Sequence, residues 1–226
     1  MIKNLEWDSA FFEMVVGELF VAEEIDAEEI KNFDLLYAKN PVDFDLKLDH
    51  FTNHFTETKV VFAKEIIENN CDSNNIFSVK KVAFQINKIY ELAYESGKFS
   101  RFFLDTNFKP EKFKELYRKW VDNSITNNFA TAVLLYVENH QTIGFVSYKV
   151  DYEDATIGLI AISPAHQGKG IGRKLLQFVE NELFQNHIKT LHIPTQESNL
   201  AACNFYKKQG YTIKEKLVIK HYWKSH

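Results

Sequence analysis

Cysteine is scarce in this chain. Cys71 and Cys203 are the only two, too few for a disulfide framework or a thiolate zinc site, which points to a reducing compartment. Long apolar runs are missing as well: no segment approaches the roughly 20 residues a bilayer-spanning helix needs, and Met1-Ile2-Lys3-Asn4-Leu5-Glu6-Trp7 has no signal-peptide core. The expectation is a soluble, cytoplasmic protein with no membrane partner. Positive charge is not in excess either. With 27 Lys and Arg against 31 Asp and Glu, the formal net charge is −4, which argues against nucleic acid as a partner. His50-x-x-x-His54 lacks the Glu of a zinc-protease helix and lies among Phe51, Thr52 and Phe55, so it reads as strand and no metal is expected. There is no Gly-x-Ser-x-Gly elbow, internal repeat or low-complexity segment. What is present is a globular composition of 226 residues, 45% hydrophobic and 26% charged, enough for one large domain or two small ones.

The most informative stretch is His166-Gln167-Gly168-Lys169-Gly170-Ile171-Gly172-Arg173, which holds three of the eight glycines. It follows the strand-like run Thr156 to Ile162, closed by Ser163-Pro164, and precedes an apolar stripe at Ile171, Leu175, Leu176, Val179 and Leu183. A helix should therefore begin at the glycines. Its first N–H groups have no intrahelical partner, the helix dipole adds about half a positive charge, and side chains at 168, 170 and 172 would crowd an approaching ligand. The local chemistry is that of a diphosphate cradle, with Lys169 and Arg173 as mobile charge beside it. Gly-x-x-x-x-Gly-Lys-Ser/Thr is absent. So is Gly-x-Gly-x-x-Gly with an acidic residue about 20 positions on, which excludes the P-loop and the dinucleotide fingerprint.

Further on, Lys189 to Thr195 reads as a short strand, and Asn199 to Tyr211 as a helix closed by Gly210. Asn199 and Tyr206 lie two helical turns apart and share a face. The segments Gln167-x-x-Gly170-x-Gly172 and Asn199-x-x-Ala202-x-x-Phe205-Tyr206-x-x-x-Gly210-Tyr211, in the order strand, glycine loop, helix, strand, helix, resemble those of the Gcn5-related N-acetyltransferases, the GNAT superfamily. The resemblance implies an α/β fold, a mixed and mostly antiparallel sheet flanked by helices, that binds acetyl-CoA as cosubstrate. It places the pyrophosphate at Gln167, Gly168, Lys169, Gly170, Ile171, Gly172 and Arg173. Leu159, Ile160, Ala161 and Ile162 then supply main-chain contacts to the acetyl and pantetheine groups, Asn199 helps hold the coenzyme, and the Tyr206 hydroxyl lies beside the thioester sulfur. A phenol near pKa 10 protonating a thiolate near pKa 8.5 is about 1.5 units uphill, roughly 2 kcal/mol, within what positioned general acids overcome.

The amino-terminal part reads as a strand from Met14 to Ala22, a helix from Asp26 to Ala38, an aromatic and β-branched stretch from His50 to Ile67, and a polar linker from Glu68 to Asn75. The chain thus divides into residues 1–77, a smaller α/β region resembling a truncated copy of the fold, and 78–226, the acetyltransferase domain. Two amphipathic helices open the second part, one through Val82, Ile86, Ile89, Tyr90 and Ala93, the other behind Pro110 through Phe113, Leu116, Tyr117, Trp120 and Val121; strands at 132–137 and 143–150 follow. Leu5 to Phe12 and Glu95 to Phe102 resemble segments of the bacterial TDP-fucosamine acetyltransferases, which N-acetylate a dTDP-4-amino-4,6-dideoxyhexose for surface-polysaccharide synthesis. That likeness implies a small-molecule amine acceptor of the sugar-nucleotide type and a homodimer. It makes Phe99, Arg101 and Phe102 the candidate acceptor wall, aromatics stacking on sugar or base and Arg101 pairing with a diphosphate; an ordinary surface loop would carry similar residues. Trp7 and Phe11-Phe12 read as a hydrophobic staple. The base that deprotonates the amine is not identifiable. Another amine (a polyamine, an antibiotic, a protein amino terminus) and a non-catalytic acyl-CoA sensor are the alternatives, and Asn199 with Tyr206 weighs against the sensor.

Overall fold

The computed structural model describes residues 2–21, 27–69, 74–126 and 129–225. In chain order the elements are β1 (Lys3–Asn4), α1 (Glu6–Phe12), β2 (Val16–Phe20), α2 (Ala27–Ile30), β3 (Leu35–Asn40), β4 (Phe51–Glu65), β5 (Ile76–Ser78), α3 (Ile86–Ser96), α4 (Arg101–Leu104), α5 (Pro110–Thr126), β6 (Ala132–Glu138), β7 (Gln141–Asp151), β8 (Asp154–Ile162), α6 (Ile171–Gln185), β9 (Thr190–Gln196), α7 (Leu200–Lys208) and β10 (Thr212–Lys224). All ten strands form one sheet in the order β1-β2-β3-β10-β4-β9-β8-β7-β6-β5. Among the described residues only β2–β3 and β8–β9 pair in parallel.

Alternation along the strands sorts side chains to the two faces. On one face Val60, Phe62, Leu134, Val146 and Ile157 pack under α6 and α7 through Leu175, Val179, Leu183 and Tyr206. On the other, Val133, Leu135 and Phe145 meet α3 and α5 through Ile89, Ala93, Phe113 and Leu116. Covering both faces removes from water nearly every apolar side chain of the central strands, which is the dominant stabilising term.

Residues 1–77 share this sheet with the carboxyl-terminal strand. β10 lies between β3 and β4, antiparallel to both, so the chain's end joins its two halves through backbone hydrogen bonds. The sequence reading did not identify β10, although Leu217, Ile219, His221 and Trp223 fall on alternate positions.

The helix expected from Asp26 to Ala38 is not formed. Within the described residues only Ala27–Ile30 is helical, and Leu35 to Ala38 are strand, each 0% exposed. An apolar run buried on both faces of a sheet carries no alternation, so its period does not separate strand from helix. Asp34 decides locally, its carboxylate accepting from the Val15 N–H at 2.7 Å and holding β3 alongside β2. Of the linker expected from Glu68 to Asn75, residues 70–73, Cys71 among them, lie outside the described residues.

Candidate active site

The site begins with a gap in the sheet. β8 and β9 pair only from Asp154–Thr190 to Thr156–His192; beyond that the strands diverge, and the opening between them is lined by Ile157 to Ile162 on one side and Ile193 to Gln196 on the other. A β-bulge accompanies the divergence. Ser147 stands opposite Leu159 but Tyr148 opposite Ile157, so Gly158 is the extra residue. The buried Ser147 Oγ accepts from the Leu159 N–H at 3.0 Å, and a Cβ on residue 158 would come within 3.0 Å of that oxygen. Leu159, Ile160, Ala161 and Ile162 therefore present strand backbone to a cavity of about 980 Å³, large enough for a sizeable ligand.

At one end of this cavity the chain turns through Pro164–His166 into the glycine loop. Gln167 folds back, its Nε2 donating to the Ile162 carbonyl at 3.1 Å. Gly168 and Gly170 have φ of +76° and +80°, and a Cβ at either would meet no protein atom within 4 Å; both face open space that a ligand can fill. Gly170 is the N-cap of α6, so the unpaired N–H groups of that helix open onto the cavity. Gly172 lines the cavity as well and carries a second constraint: its Cβ would lie 3.3 Å from the Phe205 ring, so this glycine also serves the close packing of α6 on α7. Ile171 and Arg173 line the cavity; Lys169 is exposed and does not.

α7 forms the next wall. Asn199 stands just before the helix as its N-cap, Oδ1 accepting from the Ala202 N–H at 3.1 Å, and it lines the cavity together with Tyr206. The Tyr206 ring packs on Phe62 and Phe205 at centroid distances of 5.5 and 5.4 Å. Burial drives its phenol well above the ordinary value, so the hydroxyl keeps its proton throughout the working pH range. Gly210, at φ +86°, ends the helix, and the Tyr211 N–H closes on the Tyr206 carbonyl.

The opposite wall is the connection between α3 and α5, and Phe99, Arg101 and Phe102 all line the cavity. Asp105 pins this connection to the sheet by accepting from His221 Nδ1 at 2.6 Å and Trp223 Nε1 at 2.9 Å. Burial lowers the His221 pKa to about 4, so the imidazole is neutral and Asp105 carries the charge. Above the anchor, the Arg101 guanidinium lies 4.3 Å over the Tyr37 ring and 4.8 Å over Phe102. It makes no ion pair with a described residue and is held by stacking alone, with its donors available. Trp7 stacks on Phe11 at 5.2 Å and Phe12 on Phe102 at 5.7 Å; none of the three lines the cavity, so they brace the wall from behind.

The floor of the cavity holds residues that sequence reasoning missed. Lys39, Ile219 and Glu57 lie in one register row across β3, β10 and β4, with Lys59 next along β4, and all four line the cavity. Glu57 Oε2 is buried with no hydrogen-bond partner. Burial holds its carboxyl above the usual range against the opposing pull of the Arg101 charge and backbone N–H. Lys39 pairs with Glu18, whereas Lys59 forms no ion pair among the described residues. Phe55-Thr56-Glu57-Thr58-Lys59 alone reads as the solvent face of a strand; it acquires a site only because α4 covers it.

Arg101→Ala is expected to raise the KM of an anionic acceptor about 10-fold or more, the scale of a charge-assisted hydrogen bond, with little change in that for acetyl-CoA. Arg101→Lys should not restore it, because an ammonium neither stacks on Tyr37 nor presents a planar fork. Equal changes in both KM values would assign Arg101 to the scaffold.

Comparison with known proteins agrees with this geometry. A family model described as the acetyltransferase (GNAT) family matches residues 86–211. The chain is 28% identical over 136 residues to the spore coat polysaccharide biosynthesis protein SpsD of Bacillus subtilis (strain 168), a match covering 60% of this chain and 46% of SpsD, so it spans about half the length of that relative. It is 28% identical over 122 residues to streptothricin acetyltransferase A of the same organism, covering 54% of this chain and 69% of that protein. In fold it resembles the crystal structure of a GCN5-related N-acetyltransferase from Sphaerobacter thermophilus, with a TM-score of 0.53 and 17% identity over 83% of this chain and 59% of the other.

Proposed function

The chain belongs to the acetyltransferase (GNAT) family, and from that premise we propose that it moves the acetyl group of acetyl-CoA directly to the amine of a nucleotide-linked amino sugar, of the dTDP-4-amino-4,6-dideoxyhexose type, in surface-polysaccharide synthesis. One observation carries this reading: a single cavity is lined by the glycine loop and Tyr206 and also by Arg101, Glu57 and Lys59. An acceptor with an anionic arm and an amine matches that distribution of charge. The likeness to SpsD, named for polysaccharide biosynthesis, supports the same class.

In the proposed reaction Glu57 takes a proton from the acceptor ammonium, and the freed amine attacks the thioester carbonyl. Backbone N–H groups of the splayed β8 stabilise the oxyanion of the tetrahedral intermediate. As that intermediate collapses the C–S bond breaks, and Tyr206 gives its proton to the sulfur while negative charge develops there. Because burial disfavours the phenolate, donation accompanies cleavage rather than preceding it; the second proton that the attacking nitrogen sheds to become a neutral amide passes to solvent, and solvent reprotonates Tyr206. Cys203 has no part: it is buried, its thiol pushed up by burial, with Sγ 3.6 Å from the Gln196 carbonyl.

Free thiol release with a panel of dTDP- and UDP-linked amino sugars, polyamines, streptothricin and peptides tests the acceptor class. Turnover with an amino-sugar nucleotide should exceed that with the rest, and a preference for any other acceptor would overturn the assignment. Glu57→Gln should lower kcat/KM for the acceptor by about 10- to 100-fold, near the low end of general-base effects because an amine of pKa near 8 is partly neutral at pH 7. The sign of the pH dependence follows from the raised carboxyl pKa: the wild-type rate climbs as pH rises through it, and the variant loses that limb. Retention of the limb in Glu57→Gln would assign it to another group.

A further inference from the structure

Outside the main cavity stands a buried charge that the chemistry above does not use. Glu180 of α6 is 4% exposed, and both of its oxygens accept from Lys64 Nζ at 2.9 Å. Asn69 Nδ2 donates to Oε2 at 3.2 Å, and the Tyr211 hydroxyl donates to Oε1 at 2.7 Å. A buried ion pair is a weak source of stability, because desolvating two charges cancels much of their attraction. What it adds is fixed geometry.

That geometry leads to Tyr206 by two routes. Tyr211 follows the left-handed Gly210, at φ +86°, and its N–H closes on the Tyr206 carbonyl at 3.1 Å, which ties it to the last turn of α7. Its ring also meets that of Tyr206 edge-on, with centroids 6.3 Å apart. On β4, Phe62 and Lys64 are two residues apart and face the same side: Phe62 lies against the Tyr206 ring at 5.5 Å, and Lys64 holds Glu180 and passes 5.3 Å from the Tyr211 ring centroid. One strand therefore supports both tyrosines. Tyr211 is 2% exposed, and burial first and the Glu180 charge second hold its phenol well above the ordinary value, so it remains a donor throughout the working pH range.

We infer that Tyr211 is a positioning residue for the reaction: anchored through its hydroxyl to Glu180, it fixes the Tyr206 ring so that the phenol meets the departing sulfur. The inference rests on the proposed role of Tyr206 as the acid and extends it. A proton donor has to be within hydrogen-bond reach of the sulfur as the C–S bond breaks, and Tyr206 is carried by a helix of only nine residues. Gly210 permits the turn that follows but restrains it little. The Tyr211–Glu180 bond supplies the restraint, since without it the Tyr211 ring can pivot and its edge contact with Tyr206 loosens.

The test is a double-mutant cycle on kcat. Tyr211→Phe, Tyr206→Phe and the double variant are assayed by thiol release with whichever acceptor of the panel above turns over fastest, each alongside a thermal melt. Tyr211→Phe keeps the ring and removes one hydroxyl; kcat should fall about 10-fold, short of the roughly 10²-fold cost of a 1 Å misplacement, while both KM values hold. In the Tyr206→Phe background the same substitution should cost nothing further, because the group it positions is already gone. Glu180→Gln keeps an oxygen for the Tyr211 hydroxyl but leaves Lys64 without its counter-charge, so it should melt earlier than Tyr211→Phe and yet retain more kcat. Wild-type kcat in Tyr211→Phe, a further loss of about 10-fold in the double variant, or kcat that tracks the melting temperature across Tyr211→Phe and Glu180→Gln overturns the positioning role while leaving Tyr206 as the acid intact. A loss below about 10-fold in Tyr206→Phe itself overturns both.

Discussion

Tyr206→Phe is expected to reduce kcat by about 10²–10⁴-fold, equivalent to roughly 3–5 kcal/mol of transition-state stabilisation. The substitution removes one hydroxyl. The ring contacts with Phe62, Phe205 and Tyr211 remain, so folding and acetyl-CoA affinity should change little. The size of the effect follows from where charge appears: the departing thiolate needs a proton as it forms, and Tyr206, which lines the cavity, is the acid proposed to supply it. Initial rates at saturating substrates, with a thermal melt of the variant, check this. If more than about a tenth of wild-type kcat survives while chemistry limits turnover, a loss under about 1.4 kcal/mol, Tyr206 packs the helix and water serves the sulfur.

Gly170→Val is expected to raise the Kd for acetyl-CoA by about 10²-fold or more. Two penalties coincide at this residue. Its φ of +80° is one a β-branched side chain adopts only under strain, which costs on the order of 1–3 kcal/mol, and the added Cβ projects into space that no protein atom occupies within 4 Å, the space proposed for the pyrophosphate. The loop is exposed at Gly170, so the sheet and both helix layers should survive. Gly170→Asn separates the penalties, since asparagine tolerates the left-handed region while still filling the cradle; it should also bind poorly. Near-wild-type affinity in Gly170→Asn would show that the conformation of the loop, not its open space, is what the coenzyme requires. Gly172→Val should act differently, by pressing on Phe205 and displacing α7, so that kcat suffers alongside binding.

The parts of the site that were legible in the sequence are those built from local signals. The glycine loop, the helix that starts at Gly170, Asn199 at the head of α7 and Gly210 at its foot all depend on neighbours within a few residues, where capping and left-handed φ leave a mark on composition. The amphipathic stripes of α3 and α5 were equally plain, because one face of each is buried. At Gly172 the motif was legible but one of its constraints was not, since the Phe205 ring that its Cβ would press on lies 33 positions on.

What escaped depends on contacts distant in sequence. Leu35 to Ala38 were taken for helix because burial on both faces erases alternation, and only pairing with β2 and β10 defines the strand. Glu57 gave no signal. Its neighbours alternate as an ordinary solvent-facing strand would, and its altered acidity comes from burial beneath α4, more than 40 residues on. Asp105 and His221 likewise meet across a separation of 116 residues, and with them the placement of Arg101 is set. The end of the cavity proposed for the acceptor is therefore a product of topology, whereas the end proposed for the coenzyme is written in a motif.

Intact-mass spectrometry of the protein and its acceptor most directly tests direct transfer within one cavity. The protein is incubated first with acetyl-CoA alone and then with an amino-sugar nucleotide added. Direct attack predicts that the protein mass stays unchanged in both stages, and that after addition each acceptor molecule that gains an acetyl group is matched by one released CoA thiol. Thiol release before the acceptor is added, with an acetyl group carried on Cys203 or any other residue, would contradict it.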